Sequence, residues 1–156
     1  QKVTELGASQ IWAFPADWSV AKWDGKKLGK KVEKLEKIAL GAAEQSKRNL
    51  VPSITLFEKK ADFLDQFDQF DRIVVAYEES AKEGEAAALL QSLTGLEAGS
   101  KLLFIFGPEG GLSPAEIESF TAKGAVLAGL GPRILRAETA PLYALSAVSV
   151  VTELMN

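Results

Sequence analysis

The chain has 156 residues, 47% of them apolar, and a formal net charge of -3 at pH 7. This length suits a single domain with its own core and is short for two. The absence of cysteine and histidine excludes disulfides, thiol nucleophiles and the usual zinc ligands, so we predict no metal site. Because the net charge is negative, a uniformly basic nucleic-acid surface is not expected, which leaves only local basic clusters.

Signals for a membrane or for secretion are not visible in the sequence. No apolar stretch approaches the roughly 20 residues that a membrane span needs, and the first residues show no basic segment followed by an apolar core. We therefore predict a soluble, cytoplasmic protein without a membrane partner.

Hydrophobic patterns typical of strands and of helices alternate along the chain. Residues 1–6 have the character of a helix already under way, so we expect a strand or a whole domain upstream. Short apolar runs predict buried strands, and patterns with a period of three to four residues predict helices. The predicted strands are 10–14, 53–57, 72–77, 101–106 and 125–128, and the predicted helices are 26–46, 60–67, 84–94, 114–122 and 139–154.

Two of these helices carry further information. In 26–46, one face collects the apolar residues Leu28, Val32, Leu35, Ala39 and Ala42. The last helix is apolar almost all round, which indicates a central helix or a subunit interface. The alternation of strands and helices predicts an α/β three-layer fold with a mostly parallel sheet.

A first glycine-bearing loop, residues 107–113, joins the strand 101–106 to the helix 114–122. Ser113 and Glu116 have the spacing of a capping box, with Pro114 at the first helical position. Two interpretations of Gly110 and Gly111 are open. They form a tight strand-to-helix turn, or they let a ligand lie against the backbone.

A second glycine-bearing loop runs from Leu130 to Ala140. Arg133 and Arg136 carry fixed positive charge, whereas Ile134 and Leu135 offer apolar walls. Thr139 is predicted to cap the last helix with its side chain. The alternative is that the threonine is only a cap and the arginines are surface residues.

The chemistry of the two loops favours a neutral or zwitterionic ligand. The first loop lacks the Gly-Lys-Ser/Thr ending of a P-loop, Glu109 would repel a phosphate, and no early G-x-G-x-x-G marks a dinucleotide site. Two loops at the carboxyl ends of adjacent strands instead suit a ligand held mainly by main-chain groups.

Four blocks of sequence carry a family resemblance. They are Thr4-Glu5-Leu6-Gly7, residues 43–52 (AEQSKRNLVP), residues 106–113 (FGPEGGLS) and residues 130–140 (LGPRILRAETA). Together they resemble the RsmE family of SPOUT-class RNA methyltransferases, which methylates N3 of a uridine in bacterial 16S rRNA. The blocks are spread over nearly the whole chain in the expected order. The last two are highly specific, whereas the first alone means little.

The resemblance implies a SPOUT fold with a C-terminal trefoil knot, S-adenosylmethionine as methyl donor, a homodimer that builds its active sites from both protomers, and 16S rRNA or the small ribosomal subunit as partner. Residues 1–156 would be the methyltransferase domain, without the PUA-like RNA-binding domain of full-length members and without the first strand. The implied cofactor residues are Phe106, Gly107, Pro108, Glu109, Gly110, Gly111, Leu130, Gly131, Ile134, Leu135, Arg136, Thr139 and Ala140.

The chemistry of uracil methylation suggests catalytic roles on the same loop. The N3 proton must leave before the nitrogen attacks the methyl group. Arg136 is the candidate for stabilising the uracil anion, and Glu138 is the candidate base or organiser. Glu138 alternatively completes a cap or pairs with an arginine.

Candidate substrate contacts follow the long helix and one strand. Gln45, Arg48 and Asn49 are predicted to touch RNA, the alternative being an ordinary polar helix end. Tyr77 and Glu78 end another strand and give a weaker signal for the same pocket.

Two other functions stay open. A related SPOUT enzyme would methylate another base or a ribose 2′-hydroxyl with the same cofactor loops. A non-catalytic RNA-binding or dimerisation module would not bind the cofactor at all.

Overall fold

The computed structural model of the chain describes residues 1–20, 25–79 and 87–155. A 3-10 turn at Phe67–Gln69 follows the third helix, and a π-helical turn at Val150–Leu154 extends the last one. In chain order the labelled elements are α1 (Lys2–Glu5), β1 (Gln10–Ala13), α2 (Gly25–Gln45), β2 (Ser53–Leu56), α3 (Lys60–Leu64), β3 (Arg72–Ala76), α4 (Ala87–Leu93), β4 (Leu102–Ile105), α5 (Pro114–Ala122), β5 (Val126–Ala128) and α6 (Ala140–Ser149).

The predicted strands and helices are present in the described parts of the chain, with ends that differ by a few residues. The predicted helix 84–94 is seen from Ala87 onward, since residues 84–86 lie outside the described ranges. In α2, Ala39 and Ala42 are buried and the other residues of the predicted apolar face are half-buried. Hydrophobic periodicity was therefore a sound guide to the elements.

The strands form two parallel sheets. β1 pairs with β2, in a register that places Ile11 opposite Ile54. The other sheet has the order β4-β3-β5, with Val74 of β3 opposite both Phe104 and Val126. Every strand pair in the described residues is parallel. The α/β class is thus confirmed. The expectation that the two glycine-bearing loops follow adjacent strands is wrong, because β3 lies between β4 and β5, the strands that carry them.

Both faces of the three-stranded sheet are covered. Ile73 and Val75 of β3 belong to one core cluster with α3 and α5, whereas Val74 belongs to a second cluster with α4 and part of α6. Successive side chains of a strand point to opposite faces. The near-continuous apolar run of β3 therefore reflects burial on both faces, as its sequence indicated.

An aromatic cluster joins the end of β1 to the helices of the first core cluster. Phe14 stacks on Phe63 with ring centroids 4.4 Å apart and meets Phe120 of α5 edge-on at 5.9 Å. Buried aromatic pairs contribute roughly 0.5–1.5 kcal/mol beyond their area burial. The end of β1 is consequently held against α3 and α5.

The last helix is only partly covered within one chain. Ala144 is buried, and Ala147 and Val148 pack on the second core cluster. Beyond them, Val150 is exposed and Leu154 keeps 75% of its surface exposed. The central-helix interpretation is therefore wrong for the single chain.

Within the described ranges, no helix combines the length and apolar character that a membrane crossing demands.

Candidate active site

A cavity of about 750 Å³ opens where β3, β4 and β5 end. Its volume lies within the roughly 300–1,000 Å³ range of small-molecule sites. Carboxyl ends of parallel strands share one edge of a sheet, which is where ligands bind in open α/β folds. The described lining residues are Trp18, Ala76, Tyr77, Glu78, Glu79, Phe106, Gly107, Pro108, Glu109, Gly111, Leu112, Pro114, Ile117, Glu118, Thr121, Leu130, Gly131, Arg133, Leu135, Ala137 and Ala140.

The first loop ends in the predicted capping box. The backbone N–H of Glu116 donates to Ser113 Oγ at 3.2 Å, and the backbone N–H of Ser113 donates to Glu116 Oε1 at 2.9 Å. Pro114 occupies the start of α5. The box satisfies N–H groups that a helix start leaves without intrahelical partners.

Glu116 also connects this loop to two distant segments. Its side chain is buried, with 2% of the residue exposed. Glu116 Oε2 accepts from the backbone N–H of Asp17 at 3.1 Å and from Lys60 Nζ at 2.9 Å. Ser113 Oγ donates to Asp17 Oδ2 at 2.5 Å, and Lys60 Nζ also donates to Asp17 Oδ1. We call Asp17, Lys60, Ser113 and Glu116 the loop anchor.

The charges of the loop anchor stabilise one another. The hydrogen bond from Lys60, followed by that from Ser113, lowers the pKa of Asp17 below its ordinary value. Burial works to lower the pKa of Lys60, but its hydrogen bonds to Asp17 and Glu116 outweigh burial and leave that pKa raised. Both shifts favour the charged forms, as expected for opposite charges in contact.

Two glycines of the first loop are required for different reasons. Gly111 has φ +83°, and a Cβ at this position would meet no atom within 4 Å. Its conformation favours glycine and leaves open space beside the backbone, as a close-approaching ligand requires. At Gly107, a Cβ would lie 3.0 Å from Leu112 Cγ. Gly107 therefore serves packing within the loop.

The second loop is more exposed than the first. Leu130, Gly131 and Leu135 line the cavity, whereas Ile134 is 78% exposed. Arg136 is exposed as well, and its main-chain oxygen accepts from the backbone N–H groups of residues 139 and 140. The loop thus carries its apolar wall at Leu135, with the neighbouring isoleucine facing solvent.

The predicted side-chain cap at Thr139 is wrong. Thr139 occupies the N-cap position of α6, but its side chain makes no capping hydrogen bond. Its backbone has φ -87° and ψ -36°, within the helical region. A capping side chain usually stands on an extended N-cap backbone, from which its oxygen reaches the N–H groups of the first turn. The main-chain oxygen of Thr139 instead accepts from residues 142 and 143.

The predicted cofactor residues divide into two groups. Phe106, Gly107, Pro108, Glu109, Gly111, Leu130, Gly131, Leu135 and Ala140 line the cavity. Gly110, Ile134, Arg136 and Thr139 lie outside its lining. The candidate catalytic residues, Arg136 and Glu138, are both exposed beside it. Their roles, and those of the cofactor residues, stay predictions.

Of the predicted RNA contacts, Arg48 has a structural role. Its guanidinium donates to the main-chain oxygens of Thr4 at 2.9 Å, Ala8 at 2.8 Å and Gly7 at 3.4 Å. These bonds attach the turn after α1 to the end of α2. Gln45 and Asn49 are exposed nearby. Contact with RNA stays a prediction for all three residues.

Sequence reasoning missed part of the cavity wall. Four residues of α5, at positions 114, 117, 118 and 121, form a stripe along the cavity. Their spacing of three and four residues marks one helix face, but no sequence signal showed which face meets a ligand. Trp18 was missed too, although a tryptophan in a loop after a strand is a recognisable cue. Tyr77 and Glu78 do line the cavity, as their weaker signal suggested.

The charged residues of the cavity lining are mainly acidic. Glu78, Glu79, Glu109 and Glu118 line it, against the single arginine Arg133 among the described lining residues. A concentration of one sign of charge in a cleft attracts ligands of the opposite sign. The cavity is therefore better suited to a ligand with positive charge than to a phosphate.

Comparison with known proteins agrees with this geometry. Residues 1–149 match the family of RNA methyltransferase domains. The chain is 54% identical to Ribosomal RNA small subunit methyltransferase E of Bacillus subtilis (strain 168), over all of this chain and 61% of that protein. A crystal structure of a hypothetical protein matches with TM-score 0.90 and 49% identity, over 100% of this chain and 61% of that one.

A third relative has been crystallised with a cofactor. It is Ribosomal RNA small subunit methyltransferase E from Neisseria gonorrhoeae bound to S-adenosyl methionine, with TM-score 0.76 and 26% identity over 96% of this chain and 58% of that one. The chain thus spans about three fifths of the length of these relatives. It belongs to the RNA methyltransferase domain family, and its resemblance to the RsmE proteins within that family is confirmed.

Proposed function

We propose that the chain transfers a methyl group from S-adenosylmethionine to N3 of a specific uridine in 16S rRNA. The observation that carries this proposal is the cavity between two glycine-bearing loops at the ends of β3, β4 and β5. The 54% identity to the Bacillus methyltransferase supports the same substrate. The choice of N3 rests on the resemblance to the RsmE family.

S-adenosylmethionine fits the residues of the cavity. The cofactor carries a positive sulfonium and a positive ammonium group, and four glutamates line the cavity. Gly111 leaves open space beside its backbone, and Leu130 and Leu135 supply apolar surface for an adenine ring. When bound, the cofactor supplies an electrophilic methyl group.

The residues proposed to activate the uracil for attack are Arg136 and Glu138. Removal of the N3 proton leaves an anion delocalised over the neighbouring carbonyl oxygens. A guanidinium can donate two hydrogen bonds to such oxygens, which is the role proposed for Arg136. Glu138 would accept the proton or orient the arginine.

Both groups lie on an exposed loop of the single chain, which is why we propose a homodimer that builds each active site from both protomers. The exposed apolar residues Val150 and Leu154 support an interface at the end of α6. A C2 interface would bring the same surface of the two copies together.

The fold proposal is a SPOUT domain spanning residues 1–156, with a C-terminal trefoil knot. Packing of α6 against the same core cluster as α4 and β3 is compatible with it. The expected partner is 16S rRNA or the small ribosomal subunit, and the expected location is the cytoplasm.

The test is in two stages. Calorimetric titration with S-adenosylhomocysteine should show saturable binding near one ligand per protomer. Gly110→Val should weaken it, because the new side chain would press on the backbone of Trp18 and displace the first loop. Methylation of 16S rRNA, followed by nucleoside analysis, should then give 3-methyluridine. A 2′-O-methylated nucleoside or another methylated base would point to the related SPOUT activity. A folded dimer that binds no cofactor would point to a non-catalytic module.

A further inference from the structure

We propose that Trp18 is the stacking surface for the target base of the RNA substrate. This inference rests on the proposed function and adds a substrate-binding residue to it. Trp18 lines the cavity, yet 53% of its surface stays exposed. A tryptophan at this position presents aromatic surface to whatever enters, and unstacked bases in RNA are commonly held against aromatic side chains.

Trp18 is fixed in place by its neighbour. The backbone N–H of Asp17 is bound by Glu116, and the Asp17 carboxylate is bound by Ser113 and Lys60. On the other side, the backbone N–H of Ser19 donates to the main-chain oxygen of Ala16 at 3.1 Å. The loop anchor and this turn hold the backbone of Trp18 before any substrate arrives, so less entropy is lost on binding.

Trp18 reaches the cavity from a different part of the fold than the proposed cofactor loops. It follows β1, which belongs to the two-stranded sheet, whereas the two glycine loops follow β4 and β5 of the other sheet. A Cβ on Gly110 would lie 3.4 Å from the main-chain oxygen of Trp18. The tryptophan therefore borders the first loop from outside, at a position suited to a second ligand in the same cavity.

The charge of the cavity indicates which part of an RNA would enter it. Four glutamates against one arginine disfavour a phosphate. A uracil base is neutral and has an aromatic face, so it can enter where the RNA backbone cannot. Sharing one cavity with the methyl donor would satisfy the close approach that methyl transfer needs.

Trp18→Ala is the main variant, and Trp18→Phe is its conservative partner. With the whole chain and saturating S-adenosylmethionine, we expect Trp18→Ala to raise KM for RNA by about tenfold, the size of one lost stacking contact. We expect Trp18→Phe to stay near the wild-type KM, and Val20→Ala, at a residue 98% exposed two positions away, to change nothing. Urea unfolding of each variant checks that the fold is intact.

A binding measurement keeps the inference separate from the proposed function. We would titrate the protein, in the presence of S-adenosylhomocysteine, with an oligouridylate and with a matched abasic strand, and follow fluorescence. The two strands carry the same phosphate charge and differ only in the presence of bases. The wild type should bind the oligouridylate more tightly than the abasic strand, and binding should quench its tryptophan fluorescence. Trp18→Ala should abolish both this quenching and the preference for the strand that carries bases. Equal binding of both strands by wild type and variant overturns the stacking role, even if methylation is observed.

The affinity for S-adenosylhomocysteine distinguishes an RNA-binding role of Trp18 from a cofactor-binding role. It should be the same in the wild type and in Trp18→Ala. If the variant loses cofactor affinity and keeps its KM for RNA, Trp18 is a wall of the cofactor site and the inference is wrong. If the wild type methylates no RNA, the proposed function fails, and the two titrations still decide where Trp18 acts.

Discussion

The two glycine-bearing loops border one cavity but are built in different ways. The loop after β4 ends in a capping box and is held by the buried Glu116, which reaches Asp17 and Lys60. The loop after β5 exposes Ile134 and Arg136, and the hydrogen bonds that hold it at Arg136 use the main-chain oxygen, which accepts from the backbone N–H groups of residues 139 and 140. The first loop is therefore preformed, whereas the second has side chains left over for a ligand or a second protomer.

The largest expected effect is on the preformed loop. Glu116→Ala removes the acceptor for Ser113, Asp17 and Lys60 and leaves the ammonium of Lys60 with half of its partners. Lys60 keeps 23% of its side chain exposed and retains Asp17, so the cost comes mainly from the three hydrogen bonds that end on the buried Glu116 carboxylate. A hydrogen bond to a charged group is worth about 1.5–3 kcal/mol, so the loss of three costs roughly 4–5 kcal/mol. Urea unfolding should show a decrease of this size. Glu118→Ala, an exposed carboxylate on the same helix, is the matched control and should change stability little. Equal unfolding midpoints for the two variants would contradict the anchoring role.

A substitution in the exposed second loop should lower activity without lowering stability. Arg136→Ala is expected to leave the unfolding midpoint unchanged, because the side chain is exposed. If Arg136 stabilises the uracil anion, kcat should fall by about 10²–10³, as for loss of one transition-state donor. Steady-state methylation kinetics measure this, with Lys123→Ala as an exposed cationic control outside the cavity lining. An unchanged kcat would remove Arg136 from the mechanism.

A smaller effect is expected at Gly111, where comparison with Gly124 distinguishes backbone strain from contact with the ligand. Gly111 and Gly124 have φ of +83° and +95°, and a Cβ on either meets no atom within 4 Å. Replacement of each by alanine should therefore cost a similar ~1–2 kcal/mol of stability. Only Gly111→Ala should weaken S-adenosylhomocysteine binding, by about tenfold or ~1.4 kcal/mol. Calorimetry on the two variants tests this, and equal affinities would show that the cofactor does not approach Gly111.

The smallest effect is the pH dependence of the loop anchor. The pKa of Asp17 is lowered from 3.8, so its carboxylate stabilises the fold above that pH, and the stabilisation is lost as pH falls through the folded pKa. The pKa of Lys60 is raised from 10.5, so its stabilisation is present below that pH and is lost as pH rises through the folded pKa. The stability advantage of the wild type over Asp17→Asn should therefore shrink below pH 3.8 in urea titrations. Parallel curves down to pH 2 would show that this carboxylate contributes nothing through its charge.

The sequence was most informative where local physics decides the structure. The apolar period of α2, the buried run of β3 and the Ser113–Glu116 box depend on residues close in the chain, and the structure confirms all three. Thr139 shows the limit of such reasoning. Its residue type suits a cap, but the helical backbone imposed on it by the preceding turn directs the side chain elsewhere.

The contacts missed by sequence reasoning are those between segments that only folding brings together. Asp17 and Glu116 stand 99 positions apart and meet because β1 ends beside the start of α5. Arg48 was interpreted as an RNA contact, and its bonds to the turn after α1 depend on a packing that no local pattern reveals.

By itself, the sequence determined the order of the elements, the parallel α/β class and the two loops that resemble RNA methyltransferases, because periodicity, capping and glycine positions act over a few residues. Only the tertiary structure decided that β3 lies between the two loop-bearing strands, that four glutamates share one cavity and that Trp18 stands at its edge. These features depend on contacts between distant segments, and such contacts are set by packing of the whole chain.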